Sequence, residues 1–186
     1  MLVALALGAY GARKVQPGCR TFPETGRTMC GRFLEYWDAH GGLAQQGYPI
    51  SGEMAERSDV DGKTYPVQYF ERAVFERHPE NRPPYDVLVS LLGSMALREH
   101  FPAGPPPADP GAMPGESALF PETGKRVSGA FLAYWRANGG LAQQGYPLTD
   151  AFYMSDSPSG QRRIVQYFER AVFEYHPENA PPYNVL

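Results

Sequence analysis

A nine-residue segment occurs twice in this chain without a single change, and it constrains the fold more than any other feature. It begins at Gln68 and again at Gln166, 98 residues later, and reads Gln-Tyr-Phe-Glu-Arg-Ala-Val-Phe-Glu both times. Aligned at this spacing, residues 22–88 and 120–186 are identical at 40 of 67 positions with no gap. The pattern predicts a tandem duplication of one small folding unit.

Each unit is predicted to belong to the α+β class, as a helix, a three-stranded antiparallel meander and a closing helix, with a proline-rich linker between the two copies. In the first copy the apolar spacing predicts a helix over Met29–His40 and a second over Tyr85–Arg98. The predicted strands are Gly52–Arg57, Thr64–Phe70 and Ala73–His78.

The repeat also predicts the boundaries of the domains. They are 1–13 as an N-terminal helical donor segment, 14–100 as the first module, 101–119 as the linker, and 120–186 as a second module without its own closing helix. The proline content of the linker favours an extended, semi-rigid spacer of polyproline II character. With such a spacer the two modules need not touch.

Size and charge limit the classes of protein. The 186 residues carry a formal net charge of −3, which is no footprint for nucleic acid or an anionic membrane. No apolar run reaches the roughly 18 residues of a membrane span. Units of roughly 70–80 residues bury little core, so a disulfide, a neighbouring unit or self-association is expected to support them.

The two cysteines, Cys19 and Cys30, align with Ser117 and Ser128 in the second copy. A bonded pair would change together, whereas two unrelated thiols would have no reason to. A disulfide between them predicts an oxidising, extracytoplasmic setting and contributes about 2–3 kcal/mol for so short a loop. The alternative is two separate small core residues.

Residues 2–13 align with residues 87–98, at the end of the first copy, where Leu88, Leu91, Leu92 and Met95 have the spacing of one helix face. The second copy stops at Leu186, the counterpart of Leu88. The chain thus begins with the segment that the end of its second copy lacks. Docked into the second module of a neighbour, that segment would build a head-to-tail fibre, as a helical form of donor-strand complementation.

This interpretation predicts a subunit interface with two sides. Its residues are Val3, Ala6, Leu7, Tyr10, Tyr183, Val185 and Leu186. Three alternatives remain for residues 1–13: intramolecular closure on the second module, a signal peptide, or a chain cropped from a longer array. Against a signal peptide, no basic residue precedes the apolar run.

Several motifs resemble a known class of secreted repeats. The Gly47-Tyr-Pro49 turn, the Asp61-Gly62 pair and the run Tyr69–Phe75 resemble LGFP-type repeats, and Phe22-Pro-Glu-Thr-Gly26 resembles repeats found in tandem in secreted bacterial proteins. The resemblance implies a non-catalytic role in cell-envelope attachment. It departs at Arg72 and Arg170, where the LGFP type prefers glycine.

The candidate sites on the sequence are few. Aromatic side chains that could contact sugars are Tyr48, Tyr85, Tyr146 and Tyr183. Two repeated clusters, which begin at His78 and His176, hold too few ligands to predict a metal site, and no cofactor is expected. No nucleophile triad or phosphate loop appears, and an enzyme is not expected.

The sequence therefore predicts a secreted or cell-surface structural protein whose partner is a second copy of itself. The alternative is a tandem module that binds cell-wall or surface polysaccharide beside a secreted enzyme. The linker is a plausible glycan attachment region, although no Asn-x-Ser/Thr sequon occurs in the chain.

Overall fold

The computed structural model describes residues 18–58, 61–109, 113–155, 160–181 and 183–186. The chain is of the mixed α+β class, as predicted, with five helices and four small antiparallel sheets in these ranges. The elements of the first copy are β1 (Cys19–Phe22), β2 (Arg27–Cys30), α1 (Gly31–Ala39), α2 (Gly42–Gln46), β3 (Met54–Arg57), β4 (Thr64–Tyr69), β5 (Val74–Arg77) and β6 (Val87–Val89).

The same order of elements returns in the second copy. Helix α3 (Leu92–His100) lies between the copies, and the following elements are β7 (Ser117–Phe120), β8 (Lys125–Ser128), α4 (Gly129–Ala137), α5 (Gly140–Gln144), β9 (Phe152–Ser155), β10 (Arg162–Tyr167) and β11 (Val172–Tyr175). The first sheet has the order β3-β4-β5-β6 and the second has the order β11-β10-β9. Strand β7 begins at Ser117, inside the stretch predicted as linker.

The predicted closing helix over Tyr85–Arg98 is wrong at its start. Residues 87–89 form the fourth strand of the first sheet, with Phe75 opposite Val89 and Arg77 opposite Val87. Two β-branched residues with both side chains buried suit a pleated edge better than a helix. The helix starts only at Leu92. Because of this shift Met95, predicted on the apolar face, is 47% exposed.

The Phe22-Pro-Glu-Thr-Gly26 motif forms the turn of a two-stranded hairpin that the sequence did not predict. Strands β1 and β2 pair from Cys19 opposite Cys30 to Phe22 opposite Arg27. Gly26 has φ of +65°, and its N–H donates to the carbonyl of Phe22 at 2.8 Å. A left-handed residue closes the turn, which is why glycine stands there in both copies.

The core of each copy is built from aromatic rings. In the first copy Phe75 is fully buried and touches Phe70 at 4.3 Å, Tyr36 at 5.0 Å and Phe33 at 6.0 Å between ring centroids. Phe173 repeats this arrangement in the second copy. Strands β5 and β11 thus pack directly on α1 and α4, respectively.

The disulfide predicted between Cys19 and Cys30 is confirmed. It joins the first residue of β1 to the last residue of β2, directly before α1. The N–H of Gly31 donates to the carbonyl of Gly18 at 2.8 Å beside it. The point at which the chain enters the first hairpin is therefore fixed covalently.

The linker, which the sequence predicts as an extended, semi-rigid spacer, contacts the second copy. Phe101 packs edge-on against Phe152 and Tyr167, with centroids 5.6 and 5.9 Å away. Further along, the N–H of Asp109 donates to the carbonyl of Ala151, and Met113 is buried in the core of the second copy. These apolar anchors hold the proline-rich chain along the second copy.

An ion-pair triad closes the first copy and is not repeated by the residues of the second. The Asp86 carboxylate is buried, receives Nε of Arg32 at 2.8 Å and lies 2.9 Å from the guanidinium of Arg77. Hydrogen bonding to Arg32 holds the pKa of Asp86 below its usual value. In the second copy the aspartate is replaced by Asn184.

Replacing Asp86 by asparagine is expected to lower the free energy of unfolding by about 1.5–3 kcal/mol at pH 7, since it removes a charged acceptor from two arginines. A carboxylate with a depressed pKa stabilises the fold above its unfolded-state pKa, and this contribution is lost as the pH falls below about 4. Urea unfolding of both chains from pH 7 to pH 2.5 measures it. A difference that persists in acid would contradict the assignment.

Candidate interaction site

Helix α3 follows the first copy in sequence but packs on the second sheet. Ala96, Leu97 and Phe101 cover the face formed by Phe152 and Tyr167, which are 2% and 0% exposed. The Nδ1 atom of His100 lies 2.8 Å from the hydroxyl of Tyr167. One copy therefore provides the helix that covers the other.

Gly93 is the point of closest approach between α3 and the second sheet. A Cβ on Gly93 would lie 2.0 Å from the carbonyl oxygen of Phe168 and 2.5 Å from that of Ala171. The next residue, Ser94, donates its N–H to the carbonyl of Glu169 at 3.0 Å. The first turn of α3 is thus bonded to the β10–β11 turn, and only glycine allows this contact.

The counterpart of this covered face on the first sheet is partly exposed, although Val67, the counterpart of Val165, is only 3% exposed. Ile50 and Met54, which align with Leu148 and Phe152, are 47% and 44% exposed. Beside them Tyr69, the counterpart of Tyr167, is half-buried, and its hydroxyl donates to Glu56. Ile50 and Met54 thus stand exposed at positions whose counterparts in the second copy lie under α3.

The two copies contact each other through reciprocal groups. Burial raises the pKa of Tyr36 and of Tyr134, and in each case an arginine of the other copy, Arg170 for Tyr36 and Arg72 for Tyr134, opposes the shift. The members of each set are counterparts at the repeat spacing. The two copies thus face each other with related surfaces.

A chain of buried amides joins the copies at this contact. Gln46 donates to the side-chain oxygen of Gln143 at 2.6 Å, and Gln143 donates to the hydroxyl of Tyr36 at 2.8 Å. Gln46 also donates to the carbonyl of His40. Buried amides with several partners fix one relative orientation of the packed elements.

A cleft of about 430 Å³ lies between the copies. It is bounded by both reciprocal arginines, by Ala73 and Tyr134, and by the last residue, Leu186. Gly93 and Ala96 of α3 line the same cleft. The cleft therefore meets the end of the second sheet on one side and the first copy on the other.

The structure places the predicted interface residues differently from one another. Val3, Ala6, Leu7 and Tyr10 lie outside the described residues. Val185 is buried and bridges to Tyr175, Leu186 is 58% exposed beside the cleft, and Tyr183 is 70% exposed away from it. The sequence interpretation required a second copy whose sheet is uncovered. In the structure α3 already covers that sheet.

The predicted sugar-contacting aromatics separate into two pairs. Tyr48 and Tyr146 are half-buried and pack edge-on against Phe22 and Phe120, respectively. Tyr85 is 68% exposed, as is its counterpart Tyr183 at 70%.

Both exposed rings are held on fixed backbone. Asn81 donates its side-chain amide to the carbonyl of Tyr85, and Asn179 does the same for Tyr183. The second pair thus presents two equivalent aromatic rings to solvent.

The repeated histidine clusters are tied to carboxylates. Each ring nitrogen of His78 lies within 2.9 Å of a carboxylate oxygen, from Glu76 and from Glu80. His176 has the same arrangement. Among the residues that the structure describes, no group of three or more His, Cys, Asp or Glu side chains is placed to hold a metal ion. The clusters join β5 and β11 to the turns that follow them.

Comparison of the chain with known protein families, curated proteins and solved structures found no match. In the described ranges no helix has the length and apolar character needed to cross a membrane.

The docking of α3 on the second sheet was not predictable from the sequence. The spacing of apolar residues in 87–100 does not indicate which copy this segment covers. The only signal was Gly93, an unexplained glycine in an apolar run.

Proposed function

We propose that this chain is a non-catalytic, extracellular structural protein, a tandem pair of modules that associates head-to-tail into a fibre. Residues 1–13 act as the donor segment that completes a neighbouring subunit. The partner is a second copy of the chain, and no cofactor takes part.

This proposal rests on one observation: α3 follows the first copy in sequence but packs on the sheet of the second copy. A helix that belongs by sequence to the first copy buries Phe152 and Tyr167 of the second. Covering a neighbour's sheet with a helix is therefore already the way in which these units associate. Residues 2–13 align with residues 87–98, at the end of the first copy, and Gly8 aligns with Gly93. A second chain could therefore make the same helix-on-sheet contact with its residues 2–13.

The disulfide supports the proposed extracellular setting. A cross-link such as Cys19–Cys30 persists in oxidising compartments, which favours an extracytoplasmic location. The ring nitrogens of His78 and His176 lie against carboxylate oxygens of neighbouring glutamates. The resemblance to LGFP-type repeats is consistent with a role at the bacterial cell surface.

Deletion of residues 1–13 is expected to convert a fibre-forming protein into a monomer, since the donor is removed and the rest of the fold remains. Negative-stain microscopy and light scattering of both purified chains measure the assembly state. Far-UV circular dichroism and urea unfolding check that the shortened chain keeps its fold. A full chain that stays monomeric would overturn the proposal, and so would fibres that persist after the deletion.

The exposed pair Tyr85 and Tyr183 favours a second candidate function, binding of cell-wall polysaccharide. Two equivalent rings on rigid turns offer an apolar face with a polar tip. Replacing both by alanine should abolish retention on insoluble cell-wall polysaccharide. The matched control is Tyr153→Ala, because Tyr153 is also exposed, at 40%, but has no aromatic counterpart in the first copy. Equal retention of all three chains would sink this candidate.

A further inference from the structure

We propose that the cleft between the copies is a binding site for a small organic carboxylate that has an apolar body. This inference goes beyond the proposed function and is independent of it, because it needs neither residues 1–13 nor self-association. It starts from the contact at which the two copies present the same kinds of side chain to each other. Hydrogen bonds join the copies in one half of that contact, and the side chains of the other half line the cleft.

In the first half, which we call the closed half, three side chains bond to one another across the copies. Gln143 donates its amide to the hydroxyl of Tyr36 at 2.8 Å, and its side-chain oxygen accepts from Gln46 at 2.6 Å. The same amide nitrogen of Gln46 also donates to the carbonyl of His40 at 2.9 Å. The amide of Gln46, a side chain that is 2% exposed, thus has two acceptors, as burial requires.

The counterparts of these three side chains form the cleft half. At the repeat spacing they are Tyr134, Gln45 and Gln144, and all three line the cleft. The amide of Gln144 donates to the carbonyl of Asn138 at 2.8 Å, as its counterpart does in the first copy, but it has no second acceptor among the described residues. In the same ranges the side-chain amide of Gln45 and the hydroxyl of Tyr134 have no hydrogen-bond partner.

This asymmetry puts three polar groups with unused hydrogen-bonding capacity around one cavity. Gln144 is 1% exposed and Tyr134 is half-buried, so the cavity is the place where they can find a partner. A buried N–H without an acceptor is unfavourable, which favours a ligand that brings an oxygen to it. Carboxamides and a phenol hydroxyl can all donate, and a carboxylate accepts from several donors at once.

The charges at the cleft favour an anion. Arg72 and Arg170 line it, and no aspartate or glutamate side chain is among its described lining residues. Arg170 is paired with Glu169 at 3.3 Å, whereas Arg72 donates to the carbonyl of Leu43 at 2.9 Å and has no carboxylate partner in the described ranges. Burial raises the pKa of Tyr134 and Arg72 opposes the shift, so this unshared charge acts at the cleft half. Arginine with further donors beside it suits a carboxylate.

The size and the remaining walls of the cleft suit an apolar body. Val89 and Leu92 line it from the end of the first copy, and Phe173 lines it from the core of the second. Its volume of about 430 Å³ lies within the range of roughly 300–1,000 Å³ that small-molecule sites have. A few convergent polar groups between apolar walls are the usual composition of such a site.

The test titrates the full-length chain with phenylacetate, and with phenylacetamide as an uncharged probe of nearly the same shape. Saturation-transfer NMR observes the probe, so it serves for a monomer and for an assembled chain alike. Phenylacetate is expected to bind with a Kd of about 1 mM or tighter. Phenylacetamide should bind at least about tenfold more weakly, since it lacks the charge that pairs with Arg72.

The duplication supplies a matched pair of variants that locate the site. Tyr134→Phe removes a hydroxyl of the cleft half and is expected to weaken phenylacetate binding about three- to tenfold. Tyr36→Phe removes the counterpart hydroxyl, which is bonded within the closed half, and should leave the Kd within about twofold. Arg72→Gln should weaken phenylacetate at least about tenfold and leave phenylacetamide unchanged. Thermal unfolding checks that each variant is folded.

Three outcomes would overturn the inference. The first is phenylacetate that shows no saturable transfer by about 10 mM, and the second is equal affinity for both probes. The third is an equal loss in Tyr36→Phe and Tyr134→Phe, because loosening of the contact between the copies would then explain the loss. None of these results bears on the assembly state, so the fibre proposal stands or falls separately.

Discussion

Replacing Gly93 by valine is expected to lower the free energy of unfolding by about 3 kcal/mol, one of the two largest effects of a single change that we predict. A side chain at this position would overlap the carbonyl oxygens of Phe168 and Ala171. These atoms belong to a turn that is bonded on both sides and cannot retreat. The helix must therefore move away, which exposes Phe152 and Tyr167.

The measurement for Gly93→Val is urea unfolding, followed by tryptophan fluorescence and by hydrogen exchange of the second sheet. The control is Gly52→Ala, because a Cβ at Gly52 would meet no atom within 4 Å and the backbone there has no positive φ. The control is expected to change stability by less than about 0.5 kcal/mol. Equal stability of Gly93→Val and the unchanged chain would show that α3 does not pack as described.

Replacing Gln166 by leucine is expected to cost about 2–5 kcal/mol. The side chain is fully buried, and its amide donates to the carbonyl of Arg126 at 2.9 Å and to that of Thr149 at 2.8 Å. Leucine has a similar volume but leaves one buried and one partly buried carbonyl without this donor, which outweighs the gain from removing the unpaired side-chain oxygen of Gln166. The hairpin β7–β8 and the turn before β9 then lose the bond that joins both of them to β10.

The duplication supplies an internal comparison for this prediction. Gln68 is buried as well and donates to the carbonyls of Thr28 and Ser51, each at 3.0 Å. Gln68→Leu should therefore destabilise the chain by a similar amount. Thermal and urea unfolding of both variants measure the two effects, and a loss below about 0.5 kcal/mol at either site would contradict the role given to these amides.

Much of the local structure follows from the residues. The duplicated segment predicts β4, its turn and β5, because alternating aromatic and β-branched residues suit a sheet, and Trp37 at helical spacing from Phe33 indicates α1. The structure adds what periodicity cannot decide. A short apolar run such as residues 87–92 suits a strand and a helix equally, and only the free edge of β5 selects a strand there.

The candidate site was less predictable than the fold. The sequence indicates that residues 2–13 resemble the end of the first copy, but it does not indicate which surface such a segment covers. That depends on the packing of α3 across the copies, on Gly93 in particular, and on the exposure of Ile50 and Met54. The sequence predicted the second copy as the receptor, and in the structure α3 already covers the sheet of that copy.

The position of the disulfide has a mechanical consequence in the proposed fibre. Tension along the fibre reaches each subunit through the chain that leads into Cys19, at the open end of the β1–β2 hairpin. A hairpin that is pulled from its open end separates one pair of residues at a time, beginning at that end. The disulfide between Cys19 and Cys30 transmits this force directly to α1 and the core, so the hairpin is bypassed. The serines at the matching positions, Ser117 and Ser128, carry no such load, because the chain before them is already fastened to its own copy.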